Sequence, residues 1–372
     1  MTYDALLNPF QVKGLTLPNR VVMAPMTRSF SPGNVPGADV AAYYARRAQH
    51  RVGLIITEGT VVAPKNGHAY PNVPDFAGKA ALDGWRQVVD RVHAAGGKIF
   101  PQLWHCGSVR QPGMPPDPDQ PGMGPAAILH PSMKSGTPPT VMTEADIADV
   151  VDAFAVAALN ARDIGFDGVE IHGAHGYLID QFFWDATNRR TDGYGGAHSW
   201  ERTRFAVEIV RQMRQLVGDE FPICLRFSQW KMGDFEARLA HTPKELERFL
   251  APLADAGVDL FHCSTRRFWE AEFEVDSLNL AGWTRKLTGK PTITVGSVGL
   301  DTDFLAALIK GDPGHSSDAH LSTLLESLER EDYDLVAVGR ALLADPAWVT
   351  KVVDGRIDQV IPFTKESLNT LS

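Results

Sequence analysis

The chain has 372 residues, of which 44% are hydrophobic and 22% charged, and its formal net charge is −9 at pH 7. This is the composition of an ordinary globular protein, long enough to bury a core without covalent staples, and its acidic balance speaks against a nucleic-acid partner. Three scattered cysteines, Cys106, Cys224 and Cys263, make no disulfide framework; with no basic-then-apolar start and no run of ~18 apolar residues, a cytoplasmic chain without a membrane span is expected.

Taken in order, "FQVKGLTLP" (Phe10–Pro18) reads as a hairpin turning at Lys13-Gly14. Eight short apolar, β-branched runs follow: Arg20–Pro25, Gly53–Gly59, Lys98–Trp104, Asp167–His172, Pro222–Ser228, Val258–Ser264, Pro291–Ser297 and Asp334–Arg340. Continuous apolar runs suit parallel strands buried on both faces. Helical patterns separate them. One opens at Thr143, with Asp146 three residues on as a capping partner. Another, Thr242–Gly257, has a Thr cap, Pro at its first position and Gly at its end. Eight strand-then-helix units imply one (β/α)8 barrel over residues 1–372, its floor closed by the hairpin. An open doubly wound sheet would need a Gly-rich phosphate turn after its first strand, and "MAPMTRSFSPG" is not one. Two insertions interrupt the rhythm. Gly107–Met142 is rich in Pro and Gly and has the length of a lid or a disordered segment. The second, Gly311–His320, suggests no role.

In such barrels the chemistry sits at the C-terminal strand ends. The polar and glycine residues of this chain fall there: Pro25, Met26, Thr27 and Arg28; Glu58, Gly59 and Thr60; Gln102, Trp104 and His105; His172, with His175 and Tyr177 just beyond; Arg226 and Ser228; Gly296, Ser297, Val298 and Gly299; Gly339 and Arg340. The last two groups form a candidate phosphate site. Gly296–Gly299 precedes a helical pattern whose first N–H groups can face an anion, and Arg340 can grip it bidentately. The histidines also admit a metal reading, in which His105, Glu170, His172 and His175 assemble a barrel hydrolase. However, His-x-x-His on glycines lacks the helical placement and flanking Glu of a zinc-protease helix, so no metal is assigned.

At this point the chain resembles the old yellow enzymes, FMN-dependent ene-reductases on a (β/α)8 barrel. The resemblance rests on "NRVVMAPMTR" (Asn19–Arg28), "ITEGT" (Ile56–Thr60), "PQLWHCG" (Pro101–Gly107) and "GFDGVEIHGAHGYLIDQFF" (Gly165–Phe183). "TNRRTDGYGG" (Thr187–Gly196), "VGSVG" (Val295–Gly299) and "VGRALLADP" (Val338–Pro346) complete the set, in order from about Leu7 to Val353. It implies a non-covalent FMN reduced by NADPH or NADH, and reduction of an activated C=C bond (enone, enal or maleimide) or a nitro compound. Hydride would come from flavin N5 and a proton from Tyr177, with His172 and His175 donating hydrogen bonds to the substrate oxygen. Neutral imidazoles suffice for that role.

The same resemblance places Pro25, Met26, Thr27 and Gly59 beside the flavin O4 edge, Gln102 on its pyrimidine edge and Arg226 near N1 and O2. The alternative for Arg226 is a barrel-interior salt bridge to Glu58 or Glu170, and the flavin role is the favoured reading. Trp104 and Trp269, with Trp230 and Phe268, are candidates for the substrate wall. The stretch Ser264–Glu274 matches nothing specific; its Arg266 and Arg267 read as a solvated pair or as contacts for the nicotinamide donor's phosphates. No G-x-G-x-x-G opens a helix, so donor and acceptor are expected to share one pocket in ping-pong turnover. Membership of the subgroup that carries an iron–sulfur cluster is not expected, since clustered cysteines are lacking. A small-molecule partner and a monomer or homodimer follow. A non-catalytic flavin-binding protein is the remaining alternative.

Overall fold

The computed structural model describes residues 3–63, 65–300 and 320–372. Strands β1 (Phe10–Val12) and β2 (Leu15–Leu17) pair antiparallel around Lys13-Gly14 as expected, and Lys13 takes a positive φ of 50° to make the turn. The eight barrel strands are β3 (Val21–Met23), β4 (Leu54–Val61), β5 (Lys98–Trp104), β8 (Val169–His175), β9 (Ile223–Lys231), β10 (Leu260–Ser264), β11 (Thr292–Val295) and β12 (Leu335–Val338). They pair in parallel in that order, and β12 returns to β3, closing a (β/α)8 barrel. Two-residue strands β6 (Met123–Gly124) and β7 (Thr140–Val141) lie within the first insertion.

Side chains alternate across each strand, and the alternation builds two shells. Outward-facing Val21, Ile55, Ile99 and Ile171 pack with helical Trp85, Phe154, Phe205 and Phe249 in the larger core. Inward-facing Val22, Leu54, Phe100, Cys224, Leu260, Ile293 and Leu335 fill the lower barrel, and Val12, Leu15 and Leu17 of the hairpin plug it from below. Two residues further up, Ala24, Ile56, Val295 and Ala337 keep the β3, β4, β11 and β12 positions apolar, whereas those of β5, β9 and β10 turn polar. Phe100 gives way to Gln102, Cys224 to Arg226 and Ser228, and Leu260 to His262 and Ser264, all buried. A barrel that is apolar at its floor and polar beneath its C-terminal rim carries its chemistry at that rim.

Helix ends follow the local chemistry. Thr143 Oγ1 accepts the Asp146 N–H (3.2 Å) while the Asp146 carboxylate accepts the Thr143 N–H (2.8 Å), which caps the helix Glu144–Asp163. Thr242 likewise accepts from the Glu245 N–H at the start of the helix Pro243–Ala256, which ends on left-handed Gly257.

Two expectations change. The fourth barrel strand does not stop at His172 with His175 in a turn beyond it. It runs on to His175 through a register shift after Gly173, because β9 extends past Ser228 and Lys231 pairs with His175. The first insertion is neither a loose lid nor disordered. Its buried Arg110 donates to the carbonyls of His68 (2.8 Å), Met114 (2.9 Å), Pro115 (3.0 Å) and Gln120 (2.9 Å), and also to that of Asp117. A Pro- and Gly-rich segment with little core of its own thus winds round one guanidinium. Of the second insertion only His320 is described; the helical pattern after Gly299 also lies outside the described residues. All three cysteines are buried and unpaired. Among the described residues no helix is long and apolar enough to cross a membrane.

Candidate active site

The polar layer beneath the rim is tightly wired. Glu170 accepts from Gln102 Nε2 (2.8 Å) and bonds His262 Nδ1 (2.7 Å), all three buried. Gln102 keeps its carbonyl oxygen and a second N–H for another partner. Arg226 stands beside His172 on one neighbouring strand and His262 on the other. Among the described residues it makes no ion pair with Glu58 or Glu170. Its Nη2 donates to Ser264 Oγ (3.2 Å), and its buried Nε has no partner. An unpartnered buried guanidinium N–H is costly, and it marks Arg226 as poised for a hydrogen-bond acceptor.

Above this layer the β8 bulge presents three rings. His175 takes a positive φ of 65° and donates its N–H to Ser228 Oγ (3.0 Å). Gly176 follows at φ 85°, where a Cβ would lie 2.8 Å from His130 Nε2, so only glycine fits. Its N–H bonds Asp180 (2.8 Å), whose other oxygen holds Lys231 Nζ (2.6 Å) in a fully buried pair. Its carbonyl accepts from His130 (2.9 Å) and Gln181 (2.7 Å). The turn that leads into Tyr177 is therefore pinned from both sides. The His172 and His175 rings stand perpendicular, 5.3 Å apart, with the Tyr177 ring 4.9 Å from His172.

Aromatic rings enclose the group. Trp104 meets Tyr177 edge-on at 4.8 Å and stacks on Tyr70, and Trp230 stacks on His175 at 4.4 Å. Gly59 is required by Trp104, since a Cβ there would sit 2.3 Å from the indole. Burial, reinforced by Arg226, lowers His172 to about 3 and holds His175 well below its usual value, so both imidazoles are neutral at pH 7. Burial, then Tyr70 and Cys106, raises Tyr177 well above the ordinary phenol, so it stays protonated.

The far side of the rim holds the remaining groups. Thr27 is exposed within the segment that follows β3. That segment is held by Glu58, which accepts the N–H groups of Arg28 (2.8 Å) and Ser29 (3.1 Å) and which burial pushes up to about 7. Gly296, Ser297 and Gly299 all have positive φ (150°, 54° and 74°), and Val298 between them is buried. Ser297 Oγ donates to the Arg266 carbonyl (3.0 Å) and accepts from Arg340 Nη2 (3.3 Å), which brings the two candidate phosphate groups together beside Gly339.

Trp269 stacks on His320 at 3.7 Å and meets buried Phe268 edge-on. Arg266 lies over Phe235 (5.2 Å), and Arg267 pairs with Glu270 (2.7 Å). The metal alternative gathers no ligand set. His105 bonds Asn66 and the Gly107 N–H, Glu170 is engaged by Gln102 and His262, and among the described residues no three His, Cys, Asp or Glu side chains form a metal site.

Sequence reasoning missed Tyr70, whose hydroxyl lies 3.0 Å from that of Tyr177. It comes from a loop with no motif. It also passed over the roles of Ser264 and the Lys231–Asp180 pair. Ser264 was findable, since it lies two residues above His262 on the inward face.

A closed parallel barrel that lifts two neutral imidazoles, a protonated phenol and a buried guanidinium to its C-terminal rim is the framework of a flavin-dependent oxidoreductase. The chain belongs to the old yellow enzyme family: the model of the NADH:flavin oxidoreductase / NADH oxidase family matches residues 5–313. It is similar to 12-oxophytodienoate reductase 7 of Oryza sativa subsp. japonica, 45% identical over 222 residues, 57% of this chain and 56% of that protein. Similarity to the NADH oxidase of Thermoanaerobacter brockii extends over 96% of this chain and 52% of that protein, at 33% identity. The chain thus spans little more than half the length of these relatives. Among solved structures, morphinone reductase in complex with tetrahydroNAD superposes with a TM-score of 0.77 at 28% identity, covering 98% of this chain and 93% of that one. The Old Yellow Enzyme from Pichia sp. AKU4542 gives 0.81 at 25%, covering 98% and 90%.

Proposed function

We propose that this protein binds FMN at the barrel rim and reduces activated C=C bonds, or nitro compounds, at the expense of NADPH or NADH in ping-pong turnover. The observation that carries this reading is the convergence of His172, His175 and Tyr177 above an Arg226 whose buried Nε lacks a partner. The residues fit the cofactor. Gln102 offers an acceptor and a donor to a pyrimidine edge, Arg226 a cation to N1 and O2, and Thr27 a hydroxyl, with Pro25, Met26 and Gly59 alongside. Gly296–Val298, Gly339 and Arg340 would hold the phosphate. Bound FMN would supply the two-electron carrier between nicotinamide and acceptor. Support for a nicotinamide in the same pocket comes from the tetrahydroNAD held by morphinone reductase on this fold.

The protein's own groups do the rest. Two neutral N–H donors aimed at one carbonyl oxygen stabilise the charge that develops as the alkene accepts hydride, a contribution of about 3 kcal/mol per donor in comparable sites. Tyr177, protonated and hydrogen-bonded to Tyr70, passes its proton to the α-carbon. Trp104 and Trp230 exclude water and flank the substrate, and Trp269 belongs to the outer wall on this reading.

The test is anaerobic stopped-flow of the purified holoprotein. Tyr177→Phe is expected to slow reoxidation of the reduced protein by cyclohexenone by about a hundredfold or more, while reduction by NADPH changes by less than about threefold. Equal losses in both half-reactions would refute the proton-donor role. Reoxidation that neither an enone nor a nitro compound accelerates would instead identify a flavin-binding protein without this activity. His172→Ala and His175→Ala should each weaken para-chlorophenol, an enolate mimic, by roughly tenfold or more.

A further inference from the structure

Ser264 sits at the top of β10, buried, between two groups the proposed reaction needs. Its Oγ lies 2.8 Å from His175 Nε2 and 3.2 Å from Arg226 Nη2. A guanidinium can only donate, so Ser264 Oγ accepts from Arg226. Its single hydrogen then needs an acceptor, and the other hydrogen-bond partner of that oxygen is His175 Nε2. The geometry points to Ser264 as the residue that fixes the His175 tautomer: its O–H donates to Nε2, which places the ring proton on Nδ1. His172 is set in the opposite sense. Its Nδ1 accepts the Ala174 N–H (3.4 Å), so its proton is on Nε2.

The two rings, perpendicular and 5.3 Å apart, therefore offer one Nδ1–H and one Nε2–H, and this difference lets rings from a single bulge aim at one oxygen. If the Nε2–H form were adopted, His175 would spend its hydrogen on Ser264 and turn a bare Nδ1 lone pair towards the substrate oxygen, replacing an attraction by a repulsion. Because Arg226 occupies one lone pair of the same hydroxyl, it orients the Ser264 O–H and couples the flavin-side cation to the substrate-side donor. Ser264 is thus a positioning residue, and its role rests on the donor-pair reading of His172 and His175.

The holoprotein labelled with 15N-histidine provides the test, with the His175 signals assigned by their loss in His175→Ala. The expected wild-type spectrum shows His175 protonated at Nδ1 and bare at Nε2. In Ser264→Ala that preference should be lost and the dissociation constant of para-chlorophenol should rise about tenfold. Ser264→Thr, which keeps the hydroxyl, should restore both, and a flavin content equal to wild type shows that the fold is intact. Protonation of wild-type His175 at Nε2, or a Ser264→Ala variant with unchanged tautomer and phenol affinity, overturns the assignment. If His175→Ala itself leaves phenol affinity unchanged, the donor pair fails; if only Ser264→Ala is silent, the donor pair stands and the tautomer lock fails.

Discussion

At the scale of single residues, Glu58 shows how the edge proposed to meet the cofactor is held in place at a cost in stability. Its carboxylate is about 1% exposed and accepts two backbone N–H groups from the segment that carries Thr27, yet its second oxygen has no partner. Burial outweighs those two bonds and lifts its pKa to about 7 from an ordinary 4.5. A raised carboxyl pKa means that the folded state binds the proton more tightly than the unfolded one. This stabilisation is complete below the unfolded pKa and disappears as pH rises through the folded pKa, and a shift of this size amounts to about 3 kcal/mol. Glu58→Gln resembles the protonated side chain and cannot titrate. Denaturant midpoints measured from pH 4.5 to 7.5 should therefore fall more steeply in wild type than in the variant. Parallel profiles would show that Glu58 is not the group responsible. Tyr177 and the histidines are tuned by the same burial but with a different outcome, since it keeps them in the neutral, proton-bearing forms that the proposed donation requires.

At the scale of elements, the insertion 107–142 is held by Arg110 and by His130, whose Nε2 reaches the Gly176 carbonyl next to Tyr177. The loop therefore supports the turn that carries Tyr177 from outside the barrel. Arg110→Met keeps the bulk of the stem and removes every donor to the five carbonyls. Leaving them unsatisfied should loosen the segment, so that limited proteolysis cuts within 111–142 several times faster than in wild type; resistance equal to wild type would refute the anchor. Little of this was legible beforehand. The segment's Pro and Gly content says nothing about which side chain it closes around, and Arg110 resembles a surface arginine until its carbonyl partners are seen. The strands and caps were legible because their signals are local: β-branched runs, Thr143 with Asp146, Thr242 with Pro243. The β8 bulge was not, because the register that carries His175 into the strand is set by Lys231 on the neighbouring β9. Tyr70 was hidden for the same reason, its place decided by contacts across the fold rather than by its own neighbours in sequence.

At the scale of the whole molecule, the barrel divides its labour along its axis. The floor is apolar and plugged by the hairpin, while the rim is polar and holds the proposed cofactor site. Climbing β9 from Cys224 in the lower core to Ser228 at the rim takes four residues, roughly 13 Å at about 3.3 Å per residue. Effects of substitutions that far apart, with no shared partner, are usually additive. Leu17 of the hairpin is fully buried against the barrel interior, so Leu17→Ala removes packing that the closed barrel cannot easily recover. A loss of about 2–5 kcal/mol is expected from transfer and cavity terms together. It should appear as a lower denaturant midpoint, while FMN content on purification and phenol affinity stay within about twofold of wild type. The contrast with Arg226→Met is the informative part. That substitution replaces a buried, partly unpartnered cation by an apolar chain, so it should cost little stability or even raise it, yet it should weaken FMN retention and phenol binding together. Cofactor affinity that fell in step with stability in Leu17→Ala would mean that floor and rim are one cooperative unit, and the axial division of roles would be wrong.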